Sequence, residues 1–177
     1  MNDMWVDQKD DPRSSAPTRG ERDTLLGYLD HYRTTLVMKC EGLTPEQLAT
    51  RSVPPSTLSL LGLVRHIAAV EQSWFRRVMG HDLALPRLYD KLQDRDADFD
   101  GAEPTQECVD EAFAALRREV AYAEEYVAGQ DDLAVLGEVH GTDVELRDVI
   151  VHMVEEYARH CGHADLLREC IDGRTGQ

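Results

Sequence analysis

Near the C-terminus the chain reads EEYARHCGHAD over residues 155–165, which gathers carboxylates, two histidines and a cysteine into one short stretch. Imidazoles and carboxylates at helical spacing can converge on a metal ion, and a thiol beside them could act as a nucleophile. A polar helix face would carry the same residue types and do neither. The flanking apolar residues Val149, Met153 and Leu167 recur at helical spacing, so the segment reads as an amphipathic helix.

A helical wheel at 100° per residue separates the candidates. With Glu156 as origin, His160 falls at about +40°, His163 at about −20° and His152 at about −40°. All four share the side that carries Val149 and Leu167. A carboxylate on an apolar stripe is costly unless it is paired or bound to metal. Glu156 and His160 stand at i,i+4, which brings their side chains to one point, as in the two histidines of an H-E-x-x-H helix. Glu155 and Arg159 form a flank pair, and Cys161 falls about 140° from Glu156, away from the others. Tyr157 lies next to the inward stripe, where a hydroxyl could reach a site as acid or hydrogen-bond donor.

Two ligands on one helix need a third from another. His66 is the best candidate, because it shares a face with Gly62, Leu63, Ala69 and Val70, which is small, apolar and therefore inward. Two histidines and one carboxylate leave coordination positions open, as a reactive site requires. Zinc fits this set, and nickel or iron would also be accepted. His163 is held as a fourth ligand or an outer partner, His152 and Tyr157 as outer partners. No residue is assigned a catalytic role beyond the metal set.

The elements that must position these residues follow from the same periodicity. Residues 1–20 are polar and interrupted by Pro12 and Pro17, and are expected to form a flexible arm in which Trp5 and Val6 could dock. Residues 21–177 form one domain. A first helix is predicted over 21–40, followed by a short turn of helix at LTPEQL (43–48) with Thr44 as cap and Pro45 at the first position. A second long helix starts near Ser59 and stops at Gly80, and its stripe runs through Leu60, Leu63, Ile67, Val70, Trp74 and Val78. Residues 81–104 are acidic and turn-rich and are predicted to be a long crossover loop outside the core. A third helix covers 105–128, a small hairpin is predicted within 129–144, and the fourth helix covers 145–172 and ends at Gly173. The fold class is all-α, a four-helix bundle with a crossover between the second and third helices.

Composition excludes other classes. With 34 acidic residues against 19 Lys and Arg, the net charge is −15, which argues against nucleic acid and against an anionic membrane surface as partner. No apolar run is long enough to span a bilayer, and the N-terminus lacks the apolar core of a secretory signal. Cys40, Cys108, Cys161 and Cys170 do not make a disulfide framework, so a cytoplasmic protein with reduced thiols is expected. Trp74 and Phe75 at the end of the second helix would offer an apolar patch for a homodimer.

The stretches STLSLLGLVRHIAAVEQSWFRRVMG (56–80) and VHMVEEYARHCGHADLLRECIDGRTG (151–176) resemble the DinB-like, or YfiT-like, superfamily, and within it an actinobacterial branch known as a domain of unknown function. The resemblance covers about residues 20–176. It implies a four-helix bundle that holds a metal between its second and last helices, at positions matching His66, Glu156 and His160. Many members use three histidines, and the glutamate here is similar to the site of mycothiol-dependent maleylpyruvate isomerase. Related members are thiol S-transferases that use mycothiol or bacillithiol. Those isomerases carry a second, C-terminal domain, whereas this chain ends just after its fourth helix, which tells against the isomerase reaction itself. His163 stands where many relatives have glutamine. The resemblance implies a metal-dependent enzyme joining a small thiol, mycothiol as co-substrate, to a small electrophile. The alternative is a non-catalytic bundle in which the metal staples the second helix to the fourth.

Overall fold

The computed structural model describes residues 5–13, 19–89 and 94–176. Much of its helix placement follows from local capping. Thr44 accepts from the backbone of Gln47 while the Gln47 side chain returns to the Thr44 N–H, and this capping box starts α2 (Pro45–Ala49). Ser59 accepts from Gly62 N and starts α3 (Leu60–Glu71); Thr105 accepts from Cys108 N and starts α5 (Gln106–Ala128). The first helix, α1, spans Gly20–Cys40 and the last, α6, spans Leu146–Asp172. Gly173 closes α6 at φ 76°, in the left-handed region that glycine enters without strain. A hairpin of β1 (Leu136–Val139) and β2 (Thr142–Glu145) leads into α6. Its two turn residues, His140 and Gly141, both have positive φ, which suits a tight two-residue turn.

The protein is thus mostly helical, with one small two-stranded sheet among the described residues. Helix α1 packs mainly on α6, and α3 packs mainly on α5 while also meeting α6. Leu36, Leu60, Leu63, Ile67, Val149, Ile150 and Met153 are fully removed from solvent along these contacts. Each such side chain contributes about 1.5–3 kcal/mol through burial. No helix among the described residues is long and apolar enough to cross a membrane.

Three features differ from the sequence expectation. The second long helix does not continue as a regular α-helix: residues Gln72–Met79 form a π-helical segment, with Gly80 N bonded to Phe75 O. The buried positions of this segment are Gln72, Phe75 and Met79, and they continue the face of Val64, Ala68 and Glu71. Phe75 therefore lies wholly in the core and Trp74 is turned against His152, which removes the apolar patch anticipated for a homodimer.

The crossover is also more than a loop. It contains α4 (Ala97–Asp100), whose Asp98 is fully buried and whose Phe99 packs against the core. Arg65 holds it in place, donating from Nε to Asp98 O at 2.8 Å and from Nη2 to Ala97 O at 3.4 Å. Gly62 permits the close approach, because a Cβ there would stand 3.0 Å from the Phe99 ring.

Of the arm expected over residues 1–20, positions 1–4 and 14–18 lie outside the described residues. Trp5 itself is 5 % exposed, with Lys39 Nζ and the Arg174 guanidinium each 4.0 Å from its ring centre.

Candidate metal centre

Helix α3 contributes His66 and helix α6 contributes Glu156 and His160. One ligand atom from each lies within 4.8 Å of the others. Glu156 Oε2 stands 3.3 Å from His160 Nε2 and 3.9 Å from His66 Nε2. The rings of His66 and His160 meet edge to face with centroids 4.8 Å apart. Donor atoms each about 2 Å from a tetrahedral zinc would be about 3.4 Å apart, so this set needs little adjustment to close on an ion. Two imidazoles and one carboxylate are also a donor set that divalent zinc, nickel and iron accept. The residues therefore fit a divalent metal.

The fit extends outward. His66 presents Nε2 to the cluster and keeps Nδ1 2.7 Å from Asp98 Oδ2. Phe99 stacks on the other side of its ring, with centroids 4.9 Å apart. His160 has its Nδ1 3.3 Å from His163 Nδ1, with its own Nε2 toward Glu156. Both histidines thus have the ring nitrogen remote from the cluster held by a partner, as metal-ligating histidines commonly do. Burial, then the nearby charge of His66, pushes the His160 imidazole down to about 4. At neutral pH it is uncharged, with a lone pair to offer.

His152 lies at the rim. Its Nε2 is 3.6 Å from Glu156 Oε1, and its ring rests against Trp74 at 4.8 Å. Beside the cluster opens a cavity of about 210 Å³ whose lining includes His66, Glu156, His152, Trp74, Arg87 and Tyr89. A small molecule entering there meets the imidazole of His66 and the carboxylate of Glu156 directly. The π-helical segment supplies much of one wall through Gln72, Ser73 and Trp74.

Of the six residues singled out from the sequence, His66, Glu156 and His160 come together, with His152 and His163 at their edges. Tyr157 does not join them. It is fully buried and its hydroxyl donates to Glu71 Oε1 at 2.9 Å. Burial, and next the Glu71 carboxylate, push that hydroxyl well above its ordinary value, so it remains a donor to Glu71. Glu71 also takes two hydrogen bonds from Arg33, at 2.8 and 2.9 Å. The Arg33–Glu71–Tyr157 cluster is a separate, internal polar knot. Cys161 is buried with its thiol 3.6 Å from Tyr32 O, and burial pushes it up to about 12. It has no part in the cluster.

Asp98 escapes detection from sequence alone. It lies in an acidic, turn-rich run whose composition signals a solvated loop, and nothing in that run marks one carboxylate as buried.

The family model described as Mycothiol-S-transferase matches residues 24–173, a span that contains every element from α2 to α6 and most of α1. Among curated proteins none matches the chain.

Proposed function

The chain belongs to the mycothiol-S-transferase family, and from that premise we propose that it is a divalent-metal-dependent thiol S-transferase acting on a small electrophile, with mycothiol as co-substrate. The observation that carries this reading is the open three-donor set of His66, Glu156 and His160 beside a cavity of small-molecule size. We read the helical architecture as the DinB-like four-helix bundle, with residues 21–177 as its single domain, the metal between α3 and α6, and zinc as the preferred ion. A reducing, cytoplasmic setting suits the thiol chemistry.

A divalent metal, when bound, supplies positive charge that favours a thiolate over a thiol. The chain's own residues do the rest. His66, Glu156 and His160 would hold the ion, and His66 and Glu156 also line the cavity. His152 is placed at the rim to take the S–H proton of the incoming thiol. Trp74, Tyr89 and Arg87 enclose the non-reacting parts of the substrates and limit water. The thiolate sulfur then forms a bond to the electrophilic carbon. In a substitution the leaving group departs with the bonding pair; in an addition that pair moves onto the acceptor and is quenched by the proton from His152.

The test is direct. Protein purified without a polyhistidine tag and loaded with zinc is titrated with mycothiol, then assayed with monochlorobimane as electrophile. Thiol binding and conjugate formation that vanish in Glu156→Gln support the proposal. Metal-loaded protein with no affinity for the thiol would overturn it and favour the ion as a staple between helices.

A further inference from the structure

We propose that Asp98 is a positioning residue for the metal: it locks His66 in the Nδ1–H tautomer and so turns the Nε2 lone pair onto the ion. The inference rests on the metal-site reading above and adds a residue to it from the crossover.

The carboxylate is fully buried, and Oδ2 stands 2.7 Å from His66 Nδ1. A buried carboxylate without good partners is expensive, and an ionised one can only accept. With Asp98 as the acceptor, Nδ1 carries the hydrogen in this pair, and Nε2 is the ligand atom on the side where Glu156 and His160 lie. Phe99, stacked on the ring, fixes its plane. An anionic acceptor also increases the basicity of the remote nitrogen, which strengthens it as a ligand. The two histidines differ here, because Nδ1 of His160 faces the imidazole of His163 where that of His66 faces a carboxylate.

A purely structural role is the competing explanation, in which Asp98 serves to pin α4 onto α3. That task already belongs to Arg65, which donates to the main-chain oxygens of Asp98 and Ala97. The Asp98 side chain divides its two oxygens: Oδ1 accepts from Phe99 N at 3.2 Å, and Oδ2 meets the imidazole.

Two measurements test this. In wild-type apo protein above pH 8, long-range ¹H–¹⁵N NMR of the His66 ring should report the Nδ1–H tautomer; the Nε2–H tautomer would overturn the proposal. Zinc affinity is then measured by chelator competition for wild type, Asp98→Asn and Asp98→Ala, with circular dichroism to check folding. Asp98→Ala should weaken zinc binding by about 10–100-fold. Asp98→Asn keeps the shape and one acceptor but loses the charge, so it should fall between the two. Equal affinity in folded Asp98→Asn and wild type, or in folded Asp98→Ala and wild type, overturns the role. If wild type itself binds no zinc, the metal-site reading fails, and this inference fails with it.

Discussion

The Tyr157 hydroxyl donates to Glu71 at 2.9 Å inside the bundle of helices, while its chain neighbour Glu156 faces His66 and His160 on another side of α6. Adjacent residues thus serve two unrelated polar sites, and substitutions should separate them. Tyr157→Phe removes one hydrogen bond from a carboxylate that keeps both bonds from Arg33, and should cost about 1–2 kcal/mol in urea denaturation. Glu71→Ala leaves the buried Arg33 guanidinium with the more distant Glu124, 3.7 Å away, and should cost up to about 3–5 kcal/mol. Neither change should alter zinc stoichiometry; a Tyr157→Phe protein of normal stability that no longer binds zinc would place Tyr157 in the metal site instead.

The three donors should be unequal to their neighbours in metal binding. His66→Ala, Glu156→Gln and His160→Ala should each reduce bound zinc by elemental analysis to a small fraction of one equivalent. His163→Ala and His152→Ala should keep a full equivalent at weakened affinity. A ligand present at 100 times its dissociation constant adds about 2.7 kcal/mol to stability, so zinc should raise the melting temperature of wild type and leave Glu156→Gln unmoved.

The cysteines should divide by burial. Cys170 is exposed, whereas burial pushes the thiols of Cys40 and Cys161 up to about 12 from an ordinary 9.0. A disulfide reagent at pH 8 should label Cys170 quickly and leave Cys40 and Cys161 untouched until the chain unfolds. Raised folded-state values also set a sign for pH dependence. The folded chain keeps these protons where the unfolded chain loses them, so the contribution is intact below about 9 and declines as pH rises toward about 12. Melting temperatures measured between pH 8 and 11 should fall, and less so in a Cys40→Ala, Cys161→Ala double variant corrected for its own packing loss.

Gly62 should resist enlargement. A Cβ there would lie 3.0 Å from the Phe99 ring and 3.1 Å from Ser59 Oγ. Alanine gains about 1 kcal/mol of helix propensity, but crowding a packed contact costs about 1–3 kcal/mol, so Gly62→Ala should be neutral to destabilising. If the loss comes from the Phe99 contact, Phe99→Leu in the same chain should recover part of it. Because Phe99 also backs the His66 ring, Gly62→Ala should weaken zinc binding even where stability changes little.

The legible parts of this protein were those written in local chemistry. Thr44 with Pro45, Ser59, Thr105 and Gly173 mark helix ends through groups within a few residues, and each stands where capping rules place it. The convergence of Glu156 with His160 was legible because both lie on one uninterrupted helix, and the choice of His66 needed only its small neighbours. What stayed hidden depends on partners far along the chain. Glu71 is paired by Arg33 from α1 and Tyr157 from α6, so no window of sequence contains the reason for its burial. Asp98 is buried because Arg65, Gly62 and His66 receive it from a different helix. Phe75 is buried because it continues the face of Val64 and Ala68, which an apolar stripe read through Ile67, Val70 and Trp74 does not single out.

The change of pitch at Gln72 divides one continuous helix into two registers. Upstream of Gln72 the backbone aims His66 toward α6 and Asp98; downstream it turns Phe75 and Met79 inward and leaves Ser73 and Trp74 to the cavity. The π turn works as a phase shifter, letting a single rod present His66 at one level and a cavity wall at the next. Removing one residue from the Gln72–Met79 segment would restore a single register and re-aim the side chains that follow, while His66 keeps its place.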